Sequence, residues 1–371
     1  MTKAAELAKM GEVLTNSQIG GRRNLIINGA MQVAQRSTSS TGVTSNGYHA
    51  CDRMNLEISS LGTHTVTQET LTSGAAYLAG FTKAFRVDCT TADASPAAGD
   101  YMVFQQKIEA QNLQQLAFGT SDAKSLTLSF YVKSNKTGTY EIMHFVSDGT
   151  RQVNSTYTIN SANTWEKKIL SIPADTGGTI NNDNGEGWRS LFYLGRGSDR
   201  AGGSTPTSWQ AYAIANEAPS QTVNIADNTA NDWAITGYQL EVGSQATPFE
   251  HRSFGEELAL CQRYFFKSGK GESQYAAFAQ GWATASTAGT AHVAFPVEMR
   301  AEPSFSHSNL QVSDDANAGI AITSSDTNSA VSQRMYGYLE WNVSSGATTY
   351  RSYAIRGNNN TSAFIAFEAE L

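Results

Sequence analysis

The stretch Leu126-Thr127-Leu128-Ser129-Phe130-Tyr131-Val132-Lys133 alternates apolar and polar residues. Successive side chains of a strand point to opposite faces, so Leu126, Leu128, Phe130 and Val132 share one face. This stretch decides the fold class because the same period recurs on both sides of it. Upstream, Met102, Phe104, Gln106 and Ile108 alternate with their neighbours. Downstream, Asn135 to Gly138 reads as a turn, and Tyr140 to Phe145 as the returning strand of a hairpin. Trp165 to Leu170 alternates again before Pro173 closes the run, and Thr236, Tyr238, Leu240 and Val242 line one face of a further strand. Loops rich in Gly, Asn, Asp and Ser separate these runs, notably Thr176 to Gly187 and Gly195 to Thr207. Strands at this spacing, with no helices between them, point to an antiparallel β-sandwich and away from a parallel α/β sheet.

A chain of 371 residues exceeds the ~250–300 at which one hydrophobic core stops growing, so two domains and a short appendage are expected. Charged residues make up 16%, against about 25% in an average domain, and the chain carries 32 glycines, a profile that suits antiparallel sheet with one wet face. The net charge of −7 argues against a nucleic-acid partner, which needs clustered cations; the longest basic run is Arg22-Arg23. No apolar stretch approaches the ~20 residues of a membrane span, so no membrane insertion is expected. The opening residues 1–14 lack the apolar core of a signal peptide. Cys51, Cys89 and Cys261 are odd in number and far apart, which fits neither a disulfide framework nor a metal site. They read as reduced thiols packed as small apolar groups, in a protein folded in a reducing cytosol.

Towards the ends, Ala4, Leu7, Ala8, Gly11 and Leu14 follow the spacing of one helix face, and Gly20-Gly21 closes that segment as a joint. Such a short helix is marginal alone and must dock on something. Pro248 to Gly255 reads as a domain boundary. Glu256 to Phe266 follows it, acidic residues first and Arg263 late, as a helix of two to three turns leading into an aromatic strand. Val293, Phe295, Val297 and Met299 alternate, with Pro296 marking an edge strand. Ile365 to Leu371 reads as a final strand.

Chemistry is sparse. The six histidines stand isolated, and no nucleophile elbow, phosphate loop or dinucleotide fingerprint appears. Glu256-Glu257 and Asp314-Asp315 read as solvated pairs. The run Asn181 to Glu186 is oxygen-rich, but it lacks the full order of a calcium loop and reads as a turn. No catalytic residue, metal or cofactor is therefore expected. What remains is aromatics in polar loops: Trp188, Trp209, Tyr350 and Tyr353 are the candidate ligand-binding residues. An exposed ring can stack on the C–H face of a sugar while adjacent polar groups bond its hydroxyls. The alternative for each is a core or subunit-interface position.

Ile235-Thr236-Gly237-Tyr238-Gln239-Leu240-Glu241-Val242-Gly243-Ser244-Gln245-Ala246-Thr247-Pro248-Phe249-Glu250 resembles a segment found in many bacteriophage appendage proteins, tail fibres above all. The likeness continues through Glu257-Leu258-Ala259-Leu260-Cys261-Gln262-Arg263-Tyr264-Phe265. Upstream it includes Asn24 to Val33 with Gln35-Arg36, and Thr164 to Lys168 with Ser171 to Thr176. These segments stand in the family's order over about residues 24–266. Beyond them only Phe295 to Arg300 and Pro303 add to the likeness. The resemblance implies an all-β chain: an antiparallel jelly-roll sandwich like those of carbohydrate-binding modules over 21–252, and a smaller C-terminal β-domain over 253–371. Residues 1–20 would be a short N-terminal helical anchor, with Leu7, Met10 and Leu14 docking on a tail or head protein of the virion. It further implies a homotrimer that is not an enzyme, assembled in the bacterial host cytoplasm and carried on the virion, where it grips host-surface glycan or another receptor. A capsid-decorating, head-fibre or connector protein is the first alternative, and a polysaccharide depolymerase the second.

Overall fold

The computed structural model describes residues 23–269, 273–315, 319–327 and 333–371, together with Lys3. The expected anchor helix, with Leu7, Met10 and Leu14, lies outside the described residues.

The Leu126–Ser134 strand behaves as its alternation requires. Leu126, Leu128, Phe130 and Val132 are fully buried on one face. The strand lies in a six-stranded antiparallel sheet ordered Ser39–Val43, Thr63–Thr70, Lys83–Thr91, Asp232–Val242, Leu126–Ser134, Glu166–Ile172. Facing it is a seven-stranded sheet ordered Gln210–Ala211, Arg151–Ile159, Gly138–Val146, Glu186–Arg196, Tyr101–Glu109, Asn55–Ser59, Gly47–Tyr48. The chain crosses repeatedly between the two, and the result is a jelly-roll β-sandwich. A continuous aromatic chain fills its interior. Phe85 meets Phe104 at 5.0 Å, Phe104 meets Phe192 at 5.6 Å, Phe192 meets Phe130 at 5.2 Å, and Tyr157 stacks on Tyr140 at 5.2 Å. These spacings are those of tilted, edge-on and offset ring pairs.

Three local expectations are corrected. Leu126–Ser134 and Gly138–Val146 do not form a hairpin: the first pairs with Glu166–Ile172 and Asp232–Val242, the second with Arg151–Ile159 and Glu186–Arg196. The turn between them is pinned sideways. Asn135 donates to Ala230 and Asn231, and Lys136 pairs with Asp227, which directs the chain across to the other sheet. The outer face of the six-stranded sheet is also not simply wet. Leu71, Ala76 and Phe81 from the connection after Thr70 pack there on Trp165 and Ala234, with Tyr131 and Phe249 partly buried against them. Finally, Thr236 does not share a face with Tyr238, Leu240 and Val242. At Gly237 two residues oppose one on the neighbouring strand, and Gly237 has φ +61°. The bulge reverses the parity, so Trp233 and Ile235 point inward before it and Tyr238 and Leu240 after it, while the Thr236 hydroxyl donates outward to Lys83 O at 2.7 Å.

Three of the segments that resemble phage appendage proteins, those beginning at Asn24, Ile235 and Glu257, meet in one latch. The Asn24 side chain accepts from Ile26 N and Leu240 N and donates to Tyr238 O, at 3.0, 3.1 and 3.1 Å. Glu250 accepts from Asn24 N at 2.6 Å, Gln239 accepts from Glu250 N at 2.8 Å, and Glu241 accepts from Thr247 N at 2.9 Å. Arg252 bridges Glu250 and Glu257, and Glu257 in turn accepts from Asn28 N at 2.5 Å. Even the inward-facing Gln106 belongs to it, bonding Ile27 N and Ile27 O at 2.8 and 2.7 Å. The segment 24–33 forms no regular strand: Leu25 N donates to Leu240 O at 2.9 Å and Gly29 O accepts from Tyr238 N at 3.0 Å, and these side chains supply further bonds that its buried backbone needs.

The chain divides into two compact units, one running up to Glu257 and one spanning Leu258–Glu370. The expected helix is present as Phe254–Gln262, followed by the strand Phe265–Ser268. Ser253 and Glu256 cap it reciprocally: Ser253 Oγ accepts from Glu256 N at 3.3 Å, and Glu256 accepts from Ser253 N at 2.9 Å. The second unit holds a closed antiparallel barrel ordered Ala277–Ala285, Ala288–Ala294, Tyr336–Val343, Ile320–Thr327, Leu310–Ser313, Ser352–Gly357. Beside it, Phe364–Glu368 is the middle strand of three, between Phe265–Ser268 and Ser304–Ser308. Pro296 corrects another expectation: its strand ends at Ala294 and is paired on both sides, so it is no edge, and the proline follows the strand where no ladder donor is needed.

Candidate functional site

On the outer face of the six-stranded sheet lies a pocket of about 330 Å³, at the lower end of small-ligand sites. Strand parity builds it. Tyr131 and Lys133 alternate with the inward Phe130 and Val132, so Lys133 points outward. Trp165 precedes Glu166, which pairs with Val132, and this places its ring beside Lys133. The Lys133 Nζ lies 5.2 Å from the centre of that ring and 3.1 Å from Glu69 Oε1. Arg86 holds the same carboxylate oxygen at 3.4 Å, while Glu69 Oε2 is buried and has no hydrogen-bond partner.

The rim is polar: Thr70, Thr72, Ser73, Asn163 and Thr164 surround this floor. Gly74 closes one side with φ +90°, and a Cβ there would stand 2.9 Å from Trp165 Cδ1, so only glycine lets the rim lie on the indole. Asn163 closes the other, its N–H donating to Ser134 O at 2.8 Å in the left-handed conformation that Asn tolerates. An indole floor, one amine, one carboxylate with a spare oxygen and a ring of hydroxyls and amides suit a small polyhydroxylated ligand. Among the described residues, no group of three His, Cys, Asp or Glu side chains is placed to hold a metal ion. No described helix is long and apolar enough to cross a membrane.

The aromatics singled out in the sequence fall elsewhere. Trp188 is corrected: it is fully buried, its Nε1 donating to Ser190 Oγ at 3.1 Å, because it lies on the inward face of the Glu186–Arg196 strand. Trp209 does meet it, ring to ring at 5.5 Å, but as an edge of the core. It packs on Phe118 at 5.7 Å and spends its N–H on Pro173 O at 2.7 Å. Tyr353 is corrected too: it is buried against Trp341 at 5.8 Å, and its hydroxyl accepts from Thr348 N. Tyr350 is 85% exposed. The structure therefore does not bring the four together as one site. The sequence does not mark Trp165 as a site residue, because its run reads as an ordinary strand; its parity relative to Lys133 is the signal it carries.

No protein-family model matches the chain, and no curated protein matches it either. Among solved structures, it is similar to the enzymatically active domain of tailspike protein 4 from bacteriophage CBA120, at 14% identity and TM-score 0.31, over 59% of this chain and 21% of that one. The chain thus spans about a fifth of that structure's length. A putative sugar-binding protein from Bacteroides thetaiotaomicron matches at 13% identity and TM-score 0.33, over 60% of this chain and 100% of that one. A CBM4 structure matches at 14% identity and TM-score 0.29, over 58% and 98%. Overlaps this loose carry no argument about ligand or reaction.

Proposed function

We propose that the chain is a structural protein of a bacteriophage virion, a tail fibre that holds the particle to host-surface glycan. It works by adhesion and assembly, without a bond-making centre. The observation that carries this reading is the order of the appendage-like segments over residues 24–266 and the convergence of three of them on one latch, in which Asn24 bonds Leu240 and Glu250 and Asn28 bonds Glu257. Copies associate as a homotrimer, and residues 1–20 dock on a tail or head protein. Three buried free thiols suit assembly in a reducing bacterial cytoplasm.

Grip comes from the pocket at Trp165. A weak site suffices, because once one copy in a trimer is bound, each further contact is intramolecular. The full-length protein is expected to bind host cells and to run as a trimer after cross-linking. Trp165→Ala and the rim variant Thr164→Arg should each weaken cell binding about tenfold, the scale of one lost aromatic contact. Thr164 is exposed, so its variant tests the pocket without disturbing the fold. Antibody labelling of the intact particle should decorate the fibres. Label on capsid faces or at a connector ring would replace the fibre reading, and release of reducing ends from host polysaccharide would replace adhesion by catalysis.

A further inference from the structure

The outside of the barrel carries a row of aromatic rings that the reading above does not use. His292 lies directly opposite Tyr338, and their rings meet edge-on at 4.9 Å. Trp282 and Tyr336 sit diagonal to His292, each 6.1 Å away ring to ring. The row therefore crosses three neighbouring strands, at the separations of contacting ring pairs. It is open to solvent: Trp282 is 41% exposed and His292 is exposed. A large ring at the surface of a paired strand costs hydrophobic free energy, and an exposed row of them marks a contact surface.

Polar groups interleave with the rings. Exposed Gln280 faces His292 across one ladder, exposed Ser352 faces Trp282 across another, and exposed Glu340 lies beside Thr290. Thr290 stands between Trp282 and Glu340 in the register, is only 6% exposed, and its Oγ1 has no hydrogen-bond partner. A buried hydroxyl left unsatisfied costs about 1–3 kcal/mol, so a ligand hydroxyl reaching it would recover a bond that the fold leaves open. At the end of the Trp282 strand, Tyr350 donates its N–H to Ala283 O at 2.7 Å while held at φ +65° with its ring exposed. A bulky residue kept in the left-handed region is a strained position of the kind that gathers at binding sites.

We propose that this face is a second carbohydrate site. Trp282, His292 and Tyr338 take the C–H faces of sugar rings in an uncharged polysaccharide, and Gln280, Glu340, Ser352 and Thr290 bond its hydroxyls. Rings alternating with hydroxyl-binding groups match a sugar chain, which is apolar on its ring faces and polar at its edges. An acidic polysaccharide is disfavoured. The three ring-bearing strands contain no lysine or arginine, Glu340 lies opposite Asp326 on the next strand, and the two arginines near Ser352, Arg351 and Arg356, are paired with Asp314 and Asp315. For its ligand class the proposal rests on the adhesive reading above, but it uses different residues in the other unit.

The test is electrophoresis of the full-length protein in native gels cast with dextran, xylan or mixed-linked β-glucan. Wild type should be retarded in at least one gel. Trp282→Ala should be retarded with about tenfold weaker affinity and Trp282→Phe should recover most of it, the scale of one ring contact. Trp165→Ala separates the two sites: loss in that variant alone, with Trp282→Ala behaving as wild type, overturns this proposal and leaves the pocket standing. Loss in Trp282→Ala alone supports it and removes the pocket. Wild type retarded in none of the gels also overturns it. So does a Trp282→Ala protein that falls to a smaller assembly, which would assign the face to a second copy of the chain.

Discussion

At the scale of single residues, what a tryptophan does here depends on which way its strand turns it. Trp188 and Trp165 both stand at the start of a strand, yet the first is wholly inside the sandwich, while the second is buried in the outer cluster and is 8% exposed at a surface pocket. Trp188→Ala should cost about 3–5 kcal/mol of stability, the range for emptying a large core site, read as a lowered denaturant midpoint. Tyr350→Gly should be neutral or stabilise by up to about 1 kcal/mol in the same measurement, because it relieves a left-handed conformation at an exposed position. His144 makes a third case. Burial pushes its pKa down to about 3, and it is held neutral between Ser190 Oγ at 2.9 Å and Ser155 Oγ at 3.2 Å. The unfolded imidazole titrates near 6.5, so the unfolded chain takes up a proton that the folded one refuses. Stability from His144 is complete above pH 6.5 and is lost as pH falls from 6.5 towards 3. His64, also lowered mainly by burial, acts in the same direction. Unfolding free energy measured against pH should fall across this window, and less steeply in His144→Gln.

At the scale of elements, period-2 alternation marks a strand and the residues that share a face within it, but not its partners or the sheet it joins. Leu126 to Lys133 announces a strand, but nothing within it says that the next strand joins the opposite sheet; bonds from Asn135 to residues almost a hundred positions away decide that. The Gly237 bulge defeats parity counting for the same reason, since the extra residue is visible only against its partner strand. Gly237→Ala should destabilise by roughly 1–3 kcal/mol, because a methyl group there would stand 2.7 Å from the Phe81 ring and the backbone is left-handed. The latch makes a parallel prediction. Asn24→Ala strips partners from Ile26 N and Leu240 N, so thermal unfolding should show a loss of about 1–3 kcal/mol for buried donors left bare. Three of the segments by which the chain resembles phage appendage proteins thus help close the sandwich. Their likeness speaks to the fold more directly than to any ligand.

At the scale of the whole molecule, the two largest hydrophobic cores of the described residues account for the length of the chain: one inside the sandwich, and one spanning the barrel and its neighbouring sheet. All three cysteines are free and buried, and burial raises the Cys51 thiol pKa far above its ordinary value. A thiol reagent should therefore find no fast-reacting group in the native protein and three after denaturation, and a reductant should leave the melting temperature unchanged. The all-β class, a helix beginning near Glu256 and the burial of the thiols as small apolar groups follow from the chain alone, because periodicity, the order of charges along a helix and cysteine number are local properties. The pocket at Trp165 and the ring row at Trp282 were beyond such a reading. Glu69, Lys133 and Trp165 are separated by tens of residues, and so are Trp282 and Tyr338. Only the pairing of strands, a long-range matter of register and of which face is covered, sets such residues side by side.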